Sequence, residues 1–104
     1  MRAIIDGLRY DTDTAEAVHV WTNGLPRGDL RFRAKTLYRT PKGRWFIHHE
    51  GGPMTDLAQR VSDSTITGGE KIEPVSEDDA FRFLTTHGGE DAAERYFPDR
   101  VQDA

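Results

Sequence analysis

The sequence predicts an α+β domain, a small mostly antiparallel sheet of about five strands with two hairpins and with C-terminal helices packed on it. Three observations lead there. Two tight-turn signals, Asp6-Gly7 and Pro41-Lys42-Gly43, each lie between β-rich segments. Residues 30–35 alternate strictly between apolar and basic. Ser76 is followed by three acids, the signature of a helix start.

Taken in order, Ala3–Ile5 and Leu8–Asp11 flank Asp6-Gly7 and form a first hairpin. Asp11–Thr14 is a turn cluster, Ala17–Thr22 a β-rich strand and Asn23–Gly28 a loop. Leu30, Phe32 and Ala34 then alternate with Arg31, Arg33 and Lys35, so one strand face is expected to be buried and the other cationic. That strand continues to Arg39, turns through Thr40–Gly43 and restarts as Arg44–His49, a second hairpin. Met54, Leu57, Ala58 and Val61 fall at helical spacing and predict two turns of helix, whereas Ser62–Gly69 reads as a polar, turn-rich connection. Lys71–Val75 is a short strand that Pro74 confines to a sheet edge or a strand end. A helix follows from Ser76, His87-Gly88-Gly89 stops it, and a second helix runs from about Glu90 to Phe97.

A chain of 104 residues suits one domain, 1–104, and ten aromatic residues give that domain bulky groups for a core. There is no cysteine, so disulfides, thiolate metal sites and a cysteine nucleophile are excluded. The N-terminus lacks the apolar stretch of a signal peptide, and no apolar run is long enough to span a bilayer, so the expectation is a cytoplasmic protein without membrane contact.

No nucleophile elbow, P-loop, dinucleotide fingerprint or H-E-x-x-H motif occurs. His48-His49-Glu50 is the densest group of potential metal ligands, but neighbours on a strand point to opposite faces, so the pair reads as ordinary strand histidines. The glycine pairs 51–52, 68–69 and 88–89 read as loop formers. The expectation is a protein with no catalytic residue, no metal and no cofactor.

Charge is distributed unevenly. Between Arg27 and Trp45 seven bases face one acid, a local charge of +6, while residues 70–104 hold ten acids and four bases, a local charge of −6. The cationic strand makes Arg31, Arg33, Lys35, Arg39 and Arg44 the candidate partner-binding residues; the plain alternative is a solvated face, or one that pairs with the acidic C-terminal helices. Net charge is −4, which weighs against a dedicated nucleic-acid binder. The acids Glu77–Asp79, Glu90, Asp91 and Glu94 sit where helix N-termini favour them, and mimicry of a phosphate backbone is the more specific reading of the same residues. Opposite charge segments can pair between chains as readily as within one, so a monomer and a homodimer are both compatible.

Ile4–Ala15, Thr36–Ile47 followed by Glu50–Pro53, and Ile72–Ala80 together resemble a family of small uncharacterised bacterial proteins carried on prophages, plasmids and integrative elements. The resemblance covers most of the chain and departs from the family's pattern at His48-His49. It implies a mobile-element accessory protein that binds and blocks host machinery. The expected function is therefore non-enzymatic protein–protein binding to a host protein or ribonucleoprotein complex, on the pattern of an anti-CRISPR inhibitor. The alternative is a nucleic-acid-binding accessory factor that uses the cationic hairpin 30–47.

Overall fold

The computed structural model describes residues 1–104. In chain order the elements are β1 (Arg2–Ile5), β2 (Leu8–Asp11), β3 (Glu16–Thr22), β4 (Arg33–Arg39), β5 (Trp45–Gly51), β6 (Gln59–Ser62), β7 (Thr65–Thr67), β8 (Gly69–Val75), α1 (Glu77–Thr86), α2 (Glu90–Tyr96) and a last 3-10 turn, Pro98–Arg100. The class is α+β, as the sequence predicts, with eight strands in place of about five.

A central antiparallel sheet has the order β3-β4-β5-β8, and β8, the strand that contains Pro74, is one of its edges. The hairpin β1–β2 turns on Asp6 (φ 53°) and Gly7 (φ 78°), two consecutive left-handed residues whose twist matches the strands they join. It lies on one face of the sheet, where Tyr10 packs on Phe46 and Ile72. The helices cover the other face: Ala80, Phe83, Leu84, Ala93 and Phe97 close over Leu37, Trp45 and Ile47. The sheet is thus the middle of three layers, which is why Leu37 and Phe46, on opposite faces, are both fully buried.

Helix α1 begins as its acids require. The Ser76 hydroxyl accepts from the Asp79 backbone N–H at 3.1 Å, and Glu77, Asp78 and Asp79 fill the first turn. Ser76→Ala removes that acceptor, and we expect a loss of about 1 kcal/mol in urea unfolding, with Ser76→Asp close to wild type.

The structure corrects three expectations. Met54–Val61 is not helical: Thr55 donates to the Gly52 carbonyl at 2.8 Å and accepts from the Leu57 N–H at 3.2 Å, which winds 53–57 into turns and leads into β6. Of the four residues at helical spacing only Leu57 is buried. The expected connection 62–69 instead contains β7, because Thr65, Ile66 and Thr67 are β-branched and pair across a short turn with Ser62, Arg60 and Gln59. The third correction concerns β4, which starts at Arg33 rather than Leu30. Asp29 accepts from the Arg31 N–H at 2.8 Å and its carbonyl accepts from the Phe32 N–H, so residues 26–32 form turns and leave Leu30 54% exposed.

The hairpin β6–β7 pairs with no other strand, and every residue from Gln59 to Thr67 is exposed. It is an arm projecting from the sheet end where Gly51 pairs with Gly69. Its root is built of glycines in close approach: a Cβ on Gly68 would collide with the Gly51 carbonyl oxygen. The arm accounts for an elongated molecule of 53 × 33 × 19 Å whose radius of gyration is 15.3 Å, against about 13 Å for a compact domain of this length.

Candidate functional site

The five predicted partner-binding bases do not form one plate. Arg33, Lys35, Leu37 and Arg39 share the face that α1 and α2 cover, so alternation along β4 does not separate a core side from a water side. Arg33 is the correction of greatest consequence: its side chain is only 13% exposed and is held by Asp56, with Nε 2.8 Å from Oδ1. It also donates to the Ala34 carbonyl and to His49 Nδ1, each at 2.9 Å. Lys35 lies over the Trp21 ring at 5.5 Å, and Arg39 lies over Trp45 and Tyr96 at 5.8 and 5.9 Å. Arg44 is exposed at the other end of the hairpin, on the β1–β2 side of the sheet. Arg31 is 67% exposed in the loop before β4, with Asp29 3.6 Å away.

None of the ion pairs joins a base of residues 27–45 to an acid of residues 70–104. The two charge segments therefore do not neutralise each other across the fold.

His48 and His49 diverge as neighbours on a strand must. His48 Nε2 meets Glu70 at 2.9 Å and His49 Nε2 meets Glu73 at 2.8 Å, from opposite faces of β5. His49 is the buried one, at 6% exposure, and its state follows from its partners. Arginine can only donate, so Nδ1 is an acceptor and the single ring proton sits on Nε2, donated to the Glu73 carboxylate. Burial, then the nearby Arg33 and Lys71 charges, hold the His49 pKa below the ordinary histidine value, although the Glu73 bond works in the opposite direction. The guanidinium hydrogen bond lowers the Asp56 pKa in turn. Asp56–Arg33–His49–Glu73 is thus a continuous polar chain that ties the loop before β6 to β4, β5 and β8. Both ring nitrogens are engaged, so His49 has no free nitrogen with which to accept a substrate proton. Sequence reasoning missed this chain because its members come from four separate segments.

The feature that sequence reasoning also missed is the arm end itself. Leu30, Met54, Val61 and Ile66 are 54%, 65%, 61% and 51% exposed, and all belong to the loops and hairpin at that end. The Met54 N–H donates to the Leu30 carbonyl at 2.8 Å, which sets those two residues side by side at the root of the arm. Arg27, Arg31 and Arg60 are exposed at the same end, which also carries Asp29, Asp56, Asp63 and Glu70. Exposed Leu30 and Met54 at the root and exposed Val61 and Ile66 on the hairpin, at an end that carries charges of both signs, have the composition of a protein-binding surface, where Met and Arg are enriched and the rim is polar. Phosphates would meet carboxylates there as well as guanidinium groups. Compared with family models, curated proteins and solved structures, the chain matches none.

Proposed function

We propose that this chain is a non-enzymatic accessory protein of mobile elements that binds a host protein or ribonucleoprotein complex, on the pattern of an inhibitor of a defence complex, and that it does so with the arm. The observation that carries this reading is the exposure of Val61 and Ile66 on a hairpin with no layer of its own chain beneath it. Apolar side chains in water gain free energy only when something covers them, at about 25 cal/mol per Å² removed from solvent. Arg31 retains its place among the candidate residues at this end, and Arg27 and Arg60 join it. The carboxylates interspersed among them favour a protein surface over a nucleic-acid backbone.

The test is affinity capture from host cells with wild type and with Val61→Glu/Ile66→Glu, followed by purification of the captured complex and measurement of its affinity. We expect the arm variant to bind at least about tenfold more weakly, with an unchanged melting temperature, since both sites are exposed. Equal binding by the variant would refute the arm as the interface. A complex that nuclease treatment disperses would favour the nucleic-acid reading, and self-association abolished by the same substitutions would show a second copy as the partner.

A further inference from the structure

We infer that the cleft between the β1–β2 turn and the β4–β5 turn is a binding site for a small phosphate monoester with a flat or apolar body. It lies at the end of the sheet remote from the arm, about 20 Å away along β4, and stands independently of the reading above. The cleft has a volume of about 420 Å³, within the range of small-molecule sites. Its charged lining consists of Arg9, Lys42 and Arg44, with no carboxylate. Each of the other sizeable clefts includes at least one acid. In a chain with 18 acids and 14 bases, three cations around one opening without a counter-charge is an unusual local environment.

None of the three bases makes an ion pair, in contrast to Arg27, Arg33, Arg82 and Arg100. Their charges are thus unopposed by any carboxylate within ion-pair reach, and a doubly charged phosphate would neutralise most of the local field. The walls supply the rest. The Arg44 N–H donates to the Thr40 hydroxyl oxygen at 3.0 Å, which leaves the hydroxyl proton of Thr40 available to a ligand. Tyr10 lines the cleft with only 5% of its surface exposed, its ring set against Phe46, and its hydroxyl has no partner within the chain. Leu8 and Pro41 complete an apolar wall on which a planar group can lie. The Thr40–Arg44 backbone bond at 2.8 Å and the pairing of Ile5 with Leu8 close the two turns, so the cleft is formed before any ligand arrives.

The test is calorimetric titration of the full chain with adenosine 5′-monophosphate, inorganic phosphate and adenosine. The expected order is the monophosphate tightest, phosphate weaker and adenosine weakest, with binding localised by shifts of the backbone amides of residues 7–10 and 40–44. Lys42→Ala/Arg44→Ala should weaken the monophosphate at least about tenfold, while Arg31→Ala stays within about twofold of wild type. Because Lys42 and Arg44 are exposed, both variants should fold with unchanged melting temperatures. Adenosine binding as well as its monophosphate, or a double variant that binds like wild type, would overturn the site. A 5′-hydroxyl single-stranded oligonucleotide that binds more tightly than the monophosphate, with a steep salt dependence, would also overturn it, in favour of a nucleic-acid backbone.

Discussion

Phe46→Ala should cost about 3–5 kcal/mol of folding stability, the largest effect of any single truncation we predict. Phe46 has no exposed surface, stacks on Tyr38 at 5.1 Å with an interplanar angle of 6°, and receives the edge of Tyr10 at 5.6 Å. It is the post on which the β1–β2 hairpin rests. A two-stranded hairpin is marginal in water by itself, so β1–β2 depends on that contact for its order. The measurement is urea unfolding followed by tryptophan fluorescence, because Trp45 and Trp21 lie on the opposite face of the sheet, under or beside the helices. If residues 1–104 fold as one cooperative unit, the tryptophan transition moves to lower urea with unchanged slope although the lost ring was on the far side. A shift worth less than about 1 kcal/mol would show that the hairpin is not integral to the fold.

Parts of this fold are legible in the sequence because the forces that set them are local. Asp6-Gly7 can adopt the left-handed pair of a tight hairpin, Pro41 presets a turn, and Ser76 with its three acids marks a helix start; each turn or cap forms where its residues stand. Arg33 shows where local reasoning ends. Alternation separates parity only from Arg33 onward, where β4 begins, and parity does not say what lies over each face; here both faces are covered. A base with the parity of Leu37 therefore enters the protein and needs Asp56 from a distant loop. Met54, Leu57 and Val61 fail for a related reason: their helical spacing is a coincidence within a short window, and the hydrogen bonds of Thr55 capture the backbone first. Of the candidate site, Arg31 was legible as an exposed base. The arm was not, because Val61 falls at helical spacing and Ile66 lies in a polar, turn-rich stretch, and nothing local shows that the hairpin they form finds no neighbour in the sheet.

Arg33→Met should cost about 2 kcal/mol, and most of that loss is expected to come from what it leaves behind. The methionine fills most of the space of the arginine stem, but His49 Nδ1 then remains as an acceptor in a residue only 6% exposed with nothing to donate to it. Asp56 also loses the guanidinium that fixes the loop before β6. The same chain gives stability a pH dependence of definite sign. The folded His49 pKa lies below 6.5, so as pH falls through that value the unfolded chain takes up a proton that the folded chain refuses. Stability is therefore flat above the unfolded pKa and falls as pH drops toward the folded one. His87, whose pKa burial and the Lys35 charge also lower, adds a slope of the same sign. His49→Gln separates the two: its amide can donate to Glu73 and accept from Arg33 without titrating, so the slope between about pH 7.5 and about pH 5 should shrink to the contribution of His87, and His49→Gln/His87→Gln should abolish it. Urea midpoints across that range measure it, and a slope in His49→Gln as steep as in wild type would mean that the buried imidazole is not what the chain protects from protonation.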